Sequence, residues 1–225
     1  MTPRIHRLAC DLLLFDMDGV LIDSTPCIVR HWKEWADLHG LDLNTVLDAA
    51  HGVRTIETMR TVAPHLDLAA EAARFTAHEV ADTEGVTAIA GARKLLAGTP
   101  SEAWAIVTSA GRDLAQARLR RAGLPIPEML VCADDVQRGK PHPEPYTTGA
   151  RRCGCAPDRC VVVEDAPAGV AAGRAAGMRV IGVRTTHPVE TLLDAGATVV
   201  VDRLAHLQID TPTDDFRVVI QAESG

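Results

Sequence analysis

Leu12-Leu13-Leu14-Phe15-Asp16-Met17-Asp18-Gly19-Val20-Leu21 decides the fold: an apolar run stops abruptly at two carboxylates and a glycine. Such a run, closed by a turn residue, reads as a parallel strand buried on both faces. In open α/β sheets ligands bind beyond the carboxyl ends of strands of this kind. Asp16 and Asp18 are two residues apart, so in extended backbone their side chains project to one side. At ~4 Å and an effective dielectric near 20 their repulsion is about 4 kcal/mol, and the pair needs a cation, a shared proton or solvent. Asp and Gly are also ordinary turn residues, so a solvated strand end accounts for the stretch taken alone.

Immediately downstream, Ser24 or Thr25 is a candidate cap for a helix that begins at Pro26. Ile28, Trp32, Trp35 and His39 recur at helical spacing, and Gly40 closes the segment. Residues 44–51, 55–63 and 68–84 also read as helices, broken by Gly52, Pro64 and Gly85. An all-helical insert over 25–85, with hinges near Ser24 and Gly85, therefore divides a core formed by 1–24 and 86–225. Past the insert, strands and helices alternate. The strands fall at 103–108, 129–132, 160–163, 179–183 and 198–201, and the helices at 91–97, 113–122, 143–153, 167–176 and 189–195. That alternation predicts an α/β fold, a Rossmann-like parallel sheet covered on both faces. Phe216 to Ile220 alternates weakly and suits an edge hairpin.

The strand ends collect one set of residues: Asp16 and Asp18, Thr108 and Ser109 before Ala110-Gly111, Glu164 and Asp165, with Lys140 in a Gly-Lys-Pro loop. Carboxylates without nearby His or Cys suit a hard cation such as magnesium. The hydroxyls and the backbone amides that open the helix at Asp113 suit an anion's oxygens. Carboxylate nucleophile, divalent metal, lysine and hydroxyl are the parts of a phosphoryl-transfer site that works through an aspartyl-phosphate. Each part also has an ordinary reading, Thr108 as a helix cap, Lys140 as a solvated loop residue and Glu164-Asp165 as a turn; their joint occurrence at successive strand ends favours the site. Arg54, after His51-Gly52-Val53 in an interhelical loop of the insert, offers a planar donor fork to the far end of a substrate.

Composition narrows the rest. Across 225 residues, 47% are hydrophobic and 24% charged, which suits a globular chain rather than a disordered one. A formal charge of −7 with no basic run excludes nucleic acid as the expected partner. No apolar stretch has the length of a membrane span or a signal sequence, so a cytoplasmic protein with no membrane partner is expected, a monomer or small homo-oligomer. Six cysteines show no zinc spacing and no Cys-x-x-Cys, Cys153-Gly-Cys155 being the one close pair.

The chain resembles the phosphatases of the haloacid dehalogenase superfamily that carry a helical cap. The four motifs of that superfamily are matched in order by 16–24, by Val107-Thr108-Ser109, by Gly139-Lys140-Pro141 and by Val163-Glu164-Asp165-Ala166-Pro167-Ala168-Gly169. The resemblance implies Asp16 as nucleophile, Asp18 as general acid and base, Thr108 or Ser109 with Ala110 as phosphate binders, and Lys140 as charge stabiliser. It implies Mg²⁺ held by Asp16, the Asp18 carbonyl and Asp165, with Glu164 beside or behind it. His51 to Thr55 and Asp134 to Tyr146 further resemble the glycerol-phosphate and 2-deoxyglucose-6-phosphate phosphatases, which implies a small phosphorylated metabolite, a sugar or glycerol phosphate, as substrate. A dehalogenase lacks the second aspartate. The β-phosphoglucomutase-like enzymes share all four motifs and remain the alternative, although their His ten residues past the second aspartate is Ile28 here, with His31 one turn on. A non-enzymatic aspartyl-phosphate receiver carries no 60-residue helical insert.

Overall fold

Buried apolar runs and their turn residues set the architecture, which the computed structural model describes for residues 4–210 and 218–224. In chain order the elements are β1 (Arg4–Cys10), β2 (Leu12–Phe15), β3 (Ile22–Asp23), α1 (Thr25–His39), α2 (Leu43–Ala50), α3 (Thr55–Val62) and α4 (Leu68–Ala81). There follow β4 (Thr87–Ala88), α5 (Ala92–Gly98), β5 (Trp104–Val107), α6 (Arg112–Ala122), β6 (Leu130–Val131) and α7 (Glu144–Arg152). The chain ends with β7 (Cys160–Glu164), α8 (Pro167–Ala175), β8 (Arg179–Val183), α9 (Val189–Asp194), β9 (Val199–Val201), β10 (Leu207–Asp210) and β11 (Val218–Ser224).

Six strands form one parallel sheet in the order β6-β5-β2-β7-β8-β9. The chain builds outward from β2 on one side and then on the other, so the topology reverses beside β2, where a crevice opens beyond the strand ends. All four residues of β2 and all five of β7 are buried, as continuous apolar runs between two helical layers must be. Leu13, Phe15, Ile106, Val161 and Val163 face one core with α5 and α6; Leu12, Leu14, Val107 and Val162 face the other with α7 and α8.

The helices α1 to α4 carry a third apolar cluster of their own, centred on Trp32, Trp35, Met59 and Phe75. They leave and rejoin the sheet through β3 and β4, which pair antiparallel at Ile22–Ala88 and Asp23–Thr87. The insert is helical throughout, as its spacing predicts, but α4 stops at Ala81 rather than near Glu84. Asp82 turns to extended backbone there, and its carboxylate accepts from the Glu84 N–H and the Arg30 guanidinium. Ser24 precedes α1 without capping it, because its hydroxyl donates to Asp18 Oδ1 at 2.5 Å.

A separate three-stranded antiparallel sheet has the order β1-β11-β10. The hairpin expected near the end is present, β10 pairing antiparallel with β11, but β11 is not an edge: its other side pairs with β1, more than 200 residues earlier at Arg4–Ser224, which sequence spacing did not reveal; Phe216 and Arg217 lie outside the described residues. Cys10, Cys27, Cys132 and Cys160 are buried and Cys153 and Cys155 half-buried. The Cys160 thiol lies 3.5 Å from that of Cys155. Among the described residues no helix is long and apolar enough to cross a membrane.

Candidate active site

Beyond the ends of β2 and β7 three carboxylates, Asp16, Glu164 and Asp165, are buried together, with one oxygen of each within 4.8 Å of the others. One ammonium stands among them. Lys140 donates to Asp16 Oδ1 at 2.6 Å, to Glu164 Oε1 at 2.7 Å and to the Val107 carbonyl at 3.1 Å, so all three of its protons are engaged. Burial pulls the ammonium down, but Asp16 and Glu164 outweigh it and hold Lys140 above its ordinary value. One positive charge against three carboxylates leaves the cluster short of cation. Burial, with Glu164 adding and Lys140 opposing, pushes the Asp16 carboxyl up to about 7. Asp165 is raised well above the carboxylate range by burial, then by Glu164 and Asp16.

Glu164 is held on every side: Oε1 also accepts from the Tyr146 hydroxyl at 2.9 Å, and Oε2 accepts from the backbone N–H of Asp165 and of Ala166 at 2.9 and 3.0 Å. With four donors on its two oxygens, Glu164 anchors Lys140 and the loop after β7, and an ion there would have to displace one of them. Its place depends on Gly169, where a Cβ would stand 1.6 Å from Oε1. Asp165 is steadied through Oδ2 by the Thr186 hydroxyl at 2.5 Å. Gly19, at φ +79°, supplies the turn after Asp18 and the clearance for Asp165, since its Cβ would fall 2.0 Å from Oδ2.

A cavity of about 340 Å³ adjoins the cluster, between the sheet and the helical insert. Asp16, Asp18, Thr108, Ser109, Ala110 and Asp165 line its sheet side, and His51 and Gly52 its insert side. The two sides touch: Ser109 Oγ donates to the Gly52 carbonyl at 2.8 Å, and a Cβ on Gly52 would come within 2.9 Å of the Ala166 methyl. His51 packs edge-on against His187, with ring centroids 5.2 Å apart. Asp18 is fixed by two donors on one oxygen, Ser24 at 2.5 Å and Arg118 Nη1 at 2.9 Å. Arg118 Nη2 reaches on to Glu79 Oε1 of α4 at 2.7 Å.

Two groups stand apart from the contacts expected of them. Arg54 does not line the cavity: its guanidinium is held by Glu57 one turn along and lies 3.5 Å from the Val136 carbonyl, at the seam between insert and sheet. The amides that open α6 are also less free than an anion cradle requires, because Asp134 accepts from Arg112 N at 2.7 Å and Thr108 Oγ1 from Ala110 N at 3.1 Å. The sequence reading missed Tyr146, Thr186, Glu79 and Arg118. For Arg118 a signal existed: Leu114, Ala115, Arg118, Leu119 and Ala122 form the buried face of α6, and an arginine in that stripe needs a buried anion.

A profile of the haloacid dehalogenase-like hydrolases matches residues 13–183, which contain the whole cluster. The chain belongs to this family. It is 48% identical over 184 residues to hexitol phosphatase A of Escherichia coli, covering 78% of this chain and 84% of that one. It is 35% identical to glycerol-1-phosphate phosphohydrolase 2 of Saccharomyces cerevisiae, covering 97% and 94%. A solved structure of a protein described as a putative beta-phosphoglucomutase from Thermotoga maritima superimposes with a TM-score of 0.65 at 28% identity, over 87% of this chain and 95% of that one.

Two stability outcomes follow from these charges. Lys140→Met leaves Asp16 and Glu164 buried without their counter-ion and should lower unfolding free energy by about 3–5 kcal/mol in urea titrations; a loss below about 1 kcal/mol would show that the ammonium does not hold the cluster. Glu79 behaves in the opposite sense, because burial pushes its carboxyl up to about 7 from an ordinary 4.5, with Arg118 opposing. A raised native pKa contributes stability that is complete below the unfolded value and is lost as pH rises through 7. Glu79→Gln, which mimics the protonated acid, should match the native chain near pH 4.5 and exceed it at pH 8.5 by up to about 3 kcal/mol; lower stability of the variant at pH 8.5 would mean that the Arg118 ion pair outweighs burial.

Proposed function

We propose that this chain is a magnesium-dependent phosphatase that hydrolyses a small sugar or polyol phosphate monoester through an aspartyl-phosphate on Asp16. One observation carries the reading: Asp16 follows the central strand on the cavity wall, held by a buried lysine that is a single positive charge among three buried carboxylates. The relatives' printed activities, on a hexitol phosphate and a glycerol phosphate, support the ester class and a hydroxylated leaving group. Residues 25–85 act as a cap over a core of 1–24 and 86–225. The separate apolar cluster of α1 to α4 and the paired linkers β3 and β4 support that division.

In the first half-reaction an Asp16 oxygen bonds to phosphorus as the ester P–O bond breaks, and Asp18 gives its proton to the departing alkoxide. Both donors on Asp18 fall on Oδ1, so Oδ2 is the oxygen left to carry that proton. A positioned acid of this kind contributes about 10²- to 10⁴-fold. In the second half Asp18 takes a proton from the water that attacks phosphorus, and the Asp16 carboxylate is restored. Lys140 fixes the nucleophile and offsets charge on the reacting group, while Thr108 and Ser109 border the phosphoryl position. Magnesium, which this family generally uses, fits an all-oxygen donor set short of positive charge. Asp16, Asp165 and the Asp18 carbonyl would hold it, and it would neutralise and align the phosphate.

The mutase alternative loses support at two points. Ile28 lines the cavity where the mutases carry their His, while His31 is buried away from it between Cys27 and Asp82, at 3.8 and 3.4 Å. A mutase also handles a bisphosphate, and Arg118, the one Lys or Arg among the described residues on the cavity wall, is already shared between Asp18 and Glu79.

With p-nitrophenyl phosphate, whose phenolate leaves without a proton, Asp18→Asn should accumulate a hydroxylamine-sensitive phosphoenzyme. Asp16→Asn should form none and release no phosphate, and excess chelator should silence the native chain. Labelling of the Asp16 variant would reverse the two roles. Full turnover in chelator would remove the metal.

A further inference from the structure

The cavity reaches past the reacting carboxylates to a charged pair of which the chemistry above uses only the bond from Arg118 to Asp18. Glu79, from α4 of the insert, and Arg118, from α6 below the sheet, both line the cavity and are only 4% and 3% exposed. Around them the wall is apolar: Ile28, Val29, Trp32 and Leu114. Their mutual bond and the bond to Asp18 leave two polar atoms over, Glu79 Oε2 and Arg118 Nε, buried with no hydrogen-bond partner among the described residues. A buried acceptor and a buried donor left unpaired in one contact are costly and uncommon in folded proteins.

We propose that Glu79 and Arg118 form the subsite for the leaving group, and that they select a neutral polyhydroxylated chain whose hydroxyls both accept and donate. The inference rests on the phosphatase reading and names its substrate class. Charge gives no support to an anionic leaving group: Arg118 is already engaged by Asp18 and Glu79, and no other Lys or Arg is among the described residues lining the cavity, so a second phosphate or a carboxylate would find no free cation. The apolar wall suits the C–H faces of the same polyol, and the cavity volume lies within the range of small-molecule sites. A site built to hydrogen-bond hydroxyls discriminates strongly against analogues that lack them, because its buried polar groups are then left unpaired.

The test compares kcat/KM for sorbitol 6-phosphate, glycerol 1-phosphate and p-nitrophenyl phosphate, with magnesium, in the native chain, Glu79→Gln and Glu79→Asp. Competitive inhibition by free sorbitol is measured against the aryl ester. In the native chain the order should be sorbitol 6-phosphate above glycerol 1-phosphate. In both variants the ratio of sorbitol 6-phosphate to aryl ester should fall at least tenfold, and the sorbitol inhibition constant should rise at least fivefold. An unchanged ratio with all esters reduced together would mean that the pair merely fastens the insert to the sheet, and would overturn the subsite. Preference of the native chain for a bisphosphate or a carboxylated ester would overturn it as well. No phosphate release from any ester by the native chain would instead overturn the phosphatase reading on which it rests.

Discussion

A single buried ammonium among three buried carboxylates is the constraint to which the rest of the structure answers. Isolated ionised carboxylates are too costly to bury, and Lys140 can serve Asp16 and Glu164 only because the loop carrying it passes beneath the carboxyl ends of β2, β5 and β7. The surrounding choices follow from that contact. Gly169 leaves room for the Glu164 carboxylate and Gly19 for that of Asp165, Tyr146 and two backbone amides complete Glu164, and Thr186 steadies Asp165. The parallel sheet makes the arrangement possible, since only strands running the same way deliver several side chains to one edge.

A second line of charge joins the insert to the sheet. Asp18, Arg118 and Glu79 succeed one another across the gap, and Ser109 with Gly52 closes a neutral contact beside them. Glu79 illustrates a general tension: a carboxyl that burial pushes up to about 7 lowers stability in alkaline solution, and such a residue persists where its polarity serves a ligand. The same helices that carry Trp32 and Trp35 into a core of their own thereby present one acidic side chain to the cavity.

Much of this was legible in the sequence, for physical reasons that also mark where legibility stopped. Asp16, Asp18, Glu164 and Asp165 sit at the ends of apolar runs, and a parallel sheet brings such ends together; Lys140, in a polar loop, was legible only through its Gly-Lys-Pro context beside them. The helical insert was legible because apolar spacing of three and four persists without a strand-like run. β1 was not: of residues 5–10 only Leu8 and Cys10 are buried, and its partner β11 lies at the far end of the chain. Arg54 was placed in the cavity because a lone arginine in a glycine-containing loop has no evident partner in sequence. Glu57, three residues on, is that partner, as helical spacing allows. Tyr146 and Thr186 reach the site from a helix and a loop whose side-chain directions no linear pattern fixes, whereas Arg118 stood in an apolar helical stripe that marked it.

The central claim is that Asp16 receives the phosphoryl group beside a magnesium ion shared with Asp165. The most direct measurement is a crystal structure of the native chain grown with magnesium and beryllium fluoride, whose trifluoroberyllate mimics a phosphoryl group on a carboxylate. The account predicts trifluoroberyllate bonded to an Asp16 oxygen, with magnesium between Asp16 and Asp165 and with Lys140 still on Asp16. Trifluoroberyllate on Asp18, or magnesium held without Asp16 and Asp165, would contradict it.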